Sequence, residues 1–303
     1  MNRTKTLFLA TRPQFFPAVI IPVLLGASTA WHYERLFSLP LFLLTVIAAL
    51  FYHAGMNTLN DYFDNLNNTD NINKTLLTPF TGGSRMIQRG LMTAPETLAL
   101  GALLLACGSF IGLYLVYQLG WTGWPLLVVG GFGLFTGFFY SAPPLFFAGR
   151  GFGELIVGIN LGLLVVCGAY FVQMGSITTE VVLLSLPTSF LISALLLINE
   201  FPDYEADKEV GKRNLVVIFG QKNARYLLLL IITAAYLSII IPVVFGVLPV
   251  LSLVILLTLP LGVLIVVGIF KNYDKASQLV PSIKLIIATH ALSGALLVAL
   301  QFL

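Results

Sequence analysis

Charge is what this chain has least of. Of its 303 residues 10% are charged and 58% are hydrophobic, whereas a soluble domain carries about 25% charged residues. That deficit excludes an ordinary soluble globule and implies a polytopic membrane protein. Cysteine is nearly absent too. Cys107 and Cys167 lie inside apolar runs, too few for a disulfide framework and suited to packing. There is no zinc-ligand spacing, no G-x-x-x-x-G-K-[ST] phosphate loop and no G-x-S-x-G elbow. His53 falls in an apolar segment without a second His or Cys beside it and reads as a satisfied core histidine; His290 has no partner in sequence, and His32 falls in an external position. The net charge of +3 gives no sign of a nucleic-acid surface, and no nucleic-acid partner is expected.

What the chain does have is long apolar runs. Crossing the hydrocarbon core takes about 20 apolar residues. Nine segments qualify, at 14–31, 39–59, 97–117, 121–140, 153–173, 179–199, 226–246, 248–270 and 282–302. Their length favours helices over barrel strands, whose sequences alternate in short segments. The expected fold is all-α, with nine transmembrane helices around a central cavity. The N-terminal run, with Arg3 and Lys5 ahead of it and Ala27-Ser28-Thr29-Ala30 at its end, superficially resembles a secretory signal. Arg12-Pro13 interrupts it, however, and the topology works only with the segment retained.

Charge also orients the helices. All 16 Lys and Arg residues except Arg35 fall on the side holding the N-terminus and the connections after segments 2, 4, 6 and 8, with Lys284 reaching that side from segment 9. The positive-inside rule makes that side cytoplasmic, and an odd number of crossings puts the C-terminus outside. Of the acids only Glu34 and Glu180 are external. The cytoplasmic connections at about 60–96 and 200–225 are long, as functional loops are. No second soluble domain is visible, so residues 1–303 form one membrane domain.

Those two connections open on related motifs. Asn60-Asp61-Tyr62-Phe63-Asp64, with Asp70 beyond it, closes segment 2; Asn199-Glu200-Phe201-Pro202-Asp203, with Asp207 beyond it, closes segment 6. Repetition four segments apart suggests two parallel four-helix pseudo-repeats plus a ninth helix, with the site at their interface. Asp61 and Asp64 are spaced i,i+3 and Asp203 and Asp207 i,i+4, so each pair shares a face of a continuing helix. Four carboxylates converging in one cavity repel unless a cation joins them. Mg²⁺ suits them, because it takes a few carboxylates together with water and substrate phosphate oxygens. The expectation is two Mg²⁺ ions clamping a diphosphate.

Cations stand nearby: Arg12, Lys74, Arg89 and Arg150, the stretch Thr81-Gly82-Gly83-Ser84-Arg85, and Gly211-Lys212-Arg213. Any one of them alone is ordinarily a topology determinant, and Lys222, Arg225, Lys271 and Lys275 read only as that. Glu205 and Glu209 read as solvated. The 23 Phe and 11 Tyr are mostly packing or lipid-facing residues, yet an aromatic-walled cavity would suit a cation-forming substrate. The rival from another class is a cation-coupled transporter, but transporter sites lie near the midplane and these motifs lie at segment ends.

These ordered elements resemble the UbiA superfamily of intramembrane prenyltransferases. Asn60 to Asp64 with Asp70 resembles its first aspartate-rich motif, and Asp203-x-x-x-Asp207 with Gly211-Lys212-Arg213 its second. Arg12-Pro13, Tyr140-Ser141-Ala142-Pro143-Pro144 and Gly151-Phe152-Gly153-Glu154 also fit. Within the superfamily the chain most resembles the branch that prenylates 1,4-dihydroxy-2-naphthoate for menaquinone. It departs at Asn68, Glu200 and Asn214, where that branch usually or often has Gly, Asn and Thr. The 4-hydroxybenzoate branch commonly has a Lys after helix 4, where this chain offers Arg150.

The resemblance implies Mg²⁺-dependent transfer from a polyprenyl diphosphate to a ring carbon of an aromatic acceptor at the cell membrane, with membrane lipid around the substrates. It implies metal-holding, catalytic roles for Asp61, Asp64, Asp203 and Asp207, and diphosphate contacts from Asn60, Arg85, Lys212, Arg213 and Arg12. Tyr140, Asn57 and Asp70 would meet the acceptor or the allylic cation. Alternative acceptors are 4-hydroxybenzoate, homogentisate, a tetrapyrrole or an archaeal glycerol ether.

Overall fold

Backbone N–H and C=O groups inside hydrocarbon have no water to bond, so runs this apolar close their hydrogen bonds within helices. In the computed structural model, which describes residues 2–35, 37–73, 77 and 83–303, every regular element is helical. Lys74, Thr81 and Gly82 lie outside the described residues. The first half holds α1 (Arg3–Ala10), α2 (Pro17–Glu34), α3 (Leu39–Leu66), the short α4 (Thr69–Ile72), α5 (Ala94–Leu119) and α6 (Trp124–Ser141). Then α7 (Gly153–Val157) passes through a π-helical turn, Gly158–Leu164, into α8 (Val165–Met174). The second half holds α9 (Thr179–Glu209), α10 (Leu215–Phe219), α11 (Gln221–Val244), α12 (Leu259–Asn272) and α13 (Val280–Leu300).

Local chemistry sets the ends. Thr93 accepts from the backbone N–H of Glu96 while the Glu96 carboxylate accepts from that of Thr93, a reciprocal cap that starts α5. Asn68 takes a left-handed φ of 68° just after α3, and Gly211 one of 75° just after α9, which stops both helices.

Among the described residues eight helical runs are long and apolar enough to cross a membrane. Nine separate segments are expected from the sequence; the third and fourth fall in one 48-residue run, Ala94–Ser141. That run bends at Gly120–Gly123, a 3₁₀ turn between α5 and α6 that begins with a left-handed Gly120. Two other boundaries differ more. The apolar signal ends near residues 59 and 199, but α3 continues to Leu66 and α9 to Glu209. The acidic motifs therefore lie on continuing helices, as their i,i+3 and i,i+4 spacings require, and not in the connections expected to begin near residues 60 and 200. Hydropathy stops where polar side chains begin, whereas a helix stops where its backbone bonding stops.

α9 is the most enclosed of the crossing runs. One apolar cluster, including Leu197, Phe201, Leu228, Ile265 and Ile283, packs α9 against α11, α12 and α13. A second, with Leu25, Tyr170 and Leu184, joins α2, α8 and α9. Elsewhere α3 lies along α5, and exposed side chains such as Phe110, Leu230 and Leu257 form an apolar exterior.

Helices in lipid gain little from hydrophobic burial against one another, so close backbone approach matters more. The π turn uses this. A Cβ at Gly162 would collide with the Oγ and Cα of Ser189 on α9. Gly162→Val is expected to push α9 away at a cost of about 1–3 kcal/mol, read as a lower unfolding temperature in detergent. An unchanged temperature would show that this contact is not tight.

Candidate active site

A cavity of about 660 Å³ enters the bundle between α2, α3, α5, α6, the α7–α8 segment and α9. Apolar side chains and glycines line most of it. One end is different: there Arg12, Asp64, Asp70, Asp203, Asp207 and Lys212 form the wall.

The first motif supplies one side of this end. Arg12 sits in a left-handed conformation in the break between α1 and α2, directly before Pro13. Its guanidinium donates to Asn60 Oδ1 at 2.9 Å and is ion-paired with Asp61. Burial works to lower the Arg12 pKa, but Asp61, then Asp70 and Asp64, hold it above its ordinary value. Asp61 also accepts from the Ser84 hydroxyl and backbone N–H. This fit needs Gly83, which has φ 75°. A Cβ there would stand 2.8 Å from Asp61 Oδ1 and 3.1 Å from Arg12 Nη2.

Asp64 accepts from Asn60 Nδ2 at 2.9 Å and Asn67 Nδ2 at 3.4 Å, and Asn60 Nδ2 also donates to Ser141 Oγ at 2.9 Å. The second motif supplies the other side. Asp207 accepts from Asn214 Nδ2 at 2.7 Å and faces Lys212 Nζ at 3.4 Å. Burial would lower the Lys212 pKa, but Asp207, Asp64, Tyr140 and Glu200 hold it well above the usual range. Asn73 joins the halves: its Nδ2 donates to Asp203 Oδ1 at 2.7 Å.

Asp70 is buried, and among the described residues nothing donates a hydrogen bond to its Oδ2. Burial, with Asp64 and Asp61 nearby, raises its pKa to about 7, against the pull of Arg12 and Arg85. A carboxyl raised in the folded state binds more protons folded than unfolded, so its contribution to stability is lost as pH rises. In metal-free protein, the unfolding temperature should therefore fall between 3.8 and about 7, and fall less in Asp70→Asn. Equal slopes in both proteins would overturn this account of Asp70.

The sequence-derived residues are not equivalent. Asn57, Asn60, Asp64, Asp70, Tyr140, Asp203, Asp207, Lys212 and Arg12 line the cavity. Asp61 lies just behind that wall, engaged by Arg12 and Ser84. Arg85 is buried and donates to the backbone carbonyls of Asp70 and Asn73, which makes it a brace for the loop, not a cavity cation. Arg213 is exposed and meets the bundle through its backbone N–H, which donates to Gly149 O at 3.0 Å. Arg89 is exposed, and the exposed Arg150 caps Pro144 O at 2.7 Å. His53 borders the cavity, and among the described residues its Nε2 has no hydrogen-bond partner, unlike the satisfied core histidine expected. Sequence reasoning missed Asn73, Ser84 and Ser141 as partners. Ser84 and Ser141 stood inside motifs quoted for their neighbours, and for Asn73 the signal was the amide-rich run from Asn65 to Asn73.

The donors facing the polar end are oxygens, which suit a hard cation. Among the described residues no three His, Cys, Asp or Glu side chains converge into a preformed metal centre. That fits a metal completed by substrate oxygens and water.

Fold and site define an all-helical, membrane-crossing protein that takes a charged group at the end of an apolar chamber. The chain belongs to the UbiA prenyltransferase family, whose model matches residues 19–286, and it is a prenyltransferase. It is similar to the 1,4-dihydroxy-2-naphthoate octaprenyltransferase of Bacillus subtilis, with 30% identity over 96% of this chain and 90% of that protein. It is also similar to the 2-carboxy-1,4-naphthoquinone phytyltransferase of Synechocystis sp., with 26% identity over 98% and 93% of the two chains. In fold it matches a UbiA homologue from Archaeoglobus fulgidus bound to GPP and Mg²⁺, at TM-score 0.66 and 17% identity over 97% and 99% of the chains. An enzyme of this family is not the transporter weighed as the rival.

Proposed function

We propose that this enzyme transfers a polyprenyl group from polyprenyl diphosphate to a ring carbon of 1,4-dihydroxy-2-naphthoate, releasing pyrophosphate, in menaquinone biosynthesis. The observation that carries the donor is one continuous cavity, charged at Asp64, Asp203, Asp207 and Lys212 and apolar beyond. A diphosphate head on a prenyl tail has that polarity. Similarity to the Bacillus subtilis and Synechocystis enzymes, both named for naphthalene-derived acceptors, supports the acceptor.

Asp61, Asp64, Asp203 and Asp207, with Asn60, would hold Mg²⁺, in our reading two ions; use of the metal is supported by a UbiA homologue from Archaeoglobus fulgidus bound to DMAPP and Mg²⁺. When bound, Mg²⁺ supplies Lewis-acid neutralisation of the departing pyrophosphate. Asn60, Asn67, Asn73 and Asn214 hold the carboxylates in place through the hydrogen bonds described above. Arg12 and Lys212 add fixed positive charge where negative charge develops. Arg85 acts indirectly, by bracing the loop around Asp70 and Asn73, and Arg213 contributes little. The apolar walls exclude water from the allylic cation, with Tyr140, Asn57 and Asp70 facing the cation or acceptor.

In this reading residues 1–303 are one membrane domain. α5 and α6 cross separately, which makes nine crossings, and α3 and α9 are equivalent helices of two four-helix pseudo-repeats. The distribution of Lys and Arg supports a cytoplasmic N-terminus and cytoplasmic acidic motifs, with the C-terminus outside the cell membrane.

The test is transfer by purified protein in nanodiscs, with and without Mg²⁺, using one labelled polyprenyl diphosphate and a panel of acceptors. Mg²⁺-dependent product with 1,4-dihydroxy-2-naphthoate, carrying loss of its carboxyl group, is expected. Product only with 4-hydroxybenzoate, homogentisate, a tetrapyrrole or a glycerol ether would overturn the acceptor and keep the chemistry.

A further inference from the structure

Two buried acids take no part in the scheme above. Glu154, in the first turn of α7, is 2% exposed, and Glu200, within the second motif on α9, is 6% exposed. Their side chains approach within hydrogen-bonding reach of each other. No N–H or hydroxyl donor among the described residues reaches either Glu154 oxygen or Glu200 Oε2. Carboxylate oxygens only accept, so two of them brought together without a donor make a place where an arriving proton is bound between acceptors.

Only one member meets the substrate space. Glu200 lines the cavity, whereas Glu154, on α7 packed against α9, is not one of its lining residues. The groups facing Glu200 are Glu154 on α7, Tyr140 on α6, Asp207 on its own helix and Lys212 beyond that helix. The Ser193 hydroxyl on α9 donates to the Glu154 backbone carbonyl at 2.8 Å, so the start of α7 is fixed against α9. The pair is thus held at the boundary between charged end and apolar chamber, where an acceptor ring would meet the prenyl carbon.

We propose that Glu200, positioned by Glu154, is the base that takes the ring-hydroxyl proton of the acceptor as the new carbon–carbon bond forms. This rests on the prenyl-transfer reading above. The acceptor O–H bond breaks and its proton enters the Glu200–Glu154 pair. The oxygen electrons form a carbonyl, and the ring π pair at the adjacent, carboxyl-bearing carbon bonds to prenyl C1. The C1–O bond breaks with its electrons leaving on pyrophosphate. Loss of the carboxyl group as CO₂ then returns an electron pair to the ring, and the oxygen regains a proton from the pair. Glu200 is the group that meets substrate; Glu154 is a positioning residue.

The experiment compares wild type, Glu200→Gln, Glu200→Asp and Glu154→Gln in nanodiscs, with Mg²⁺, labelled polyprenyl diphosphate and 1,4-dihydroxy-2-naphthoate. It reads kcat against pH, KM for the donor and the unfolding temperature of each protein. Glu200→Gln should lose about 10²-fold or more in kcat with donor KM unchanged. The deficit should close as pH approaches the acceptor hydroxyl's own pKa, where solvent performs the deprotonation. Glu200→Asp should keep part of the rate and the wild-type pH profile. Glu154→Gln should lose less rate than Glu200→Gln and displace the profile. A Glu200→Gln protein with wild-type kcat and pH profile, whatever its unfolding temperature, overturns the proposal while leaving prenyl transfer intact. A wild type that releases no pyrophosphate overturns the underlying reading and this proposal with it.

Discussion

Asp64→Ala and Asp203→Ala should each lower Mg²⁺-dependent transfer by about 10²–10³-fold, the scale seen when one preorganised charge-stabilising contact is removed, while the protein still inserts and folds. Asp64 is aimed by Asn60 and Asn67, and Asp203 by Asn73, so neither carboxylate is free to be replaced by a neighbour. Both belong to a group of like charges, Asp64 buried and Asp203 half-buried, and losing one relieves repulsion. The unfolding temperature of metal-free protein should hold or rise as activity falls. Opposite movement of stability and activity separates this from simple misfolding. Wild-type turnover in both variants would sink the assignment of these carboxylates.

Lys212→Met should cost about 10²–10³-fold in kcat/KM for the donor, whereas Arg213→Met should stay near wild type. The two cations are neighbours in sequence and opposites in surroundings. Lys212 borders the cavity, faces Asp207 at 3.4 Å and has a side chain 15% exposed; Arg213 is exposed outside it. Removing Lys212 also leaves Asp207 buried with Asn214 as its remaining hydrogen-bond partner, a loss of up to about 3 kcal/mol of stability. Added Mg²⁺ should recover part of that stability, because a cation again faces the carboxylate. Equal losses in the two variants would mean that long-range charge, not position, is what matters.

These contrasts mark where sequence reasoning stops. The apolar runs alone require helices, since an unbonded backbone in lipid costs several kcal/mol per group. The duplicated Asn-acid-aromatic-x-Asp pattern alone points to paired acidic faces and, with the basic residues beside them, to a charged substrate group. Those inferences need only local periodicity and chemistry. They cannot tell Asp61, held behind the wall by Arg12 and Ser84, from Asp64, which borders the cavity. Nor do they separate Arg85, spent on the carbonyls of Asp70 and Asn73, from Lys212.

What the sequence by itself determined is the material of the protein: membrane-crossing helices, two acidic faces, and the family to which those motifs belong. What only the tertiary structure decided is which side chains share a volume. The link from Asn73 to Asp203 spans the two halves, and Glu154 meets Glu200 only because α7 packs on α9. Such contacts join residues far apart in the chain, and their hydrogen bonds and burial depend on how helices pack. Periodicity along one helix carries no record of its neighbours, so the partners of each buried charge were legible only once the bundle was assembled.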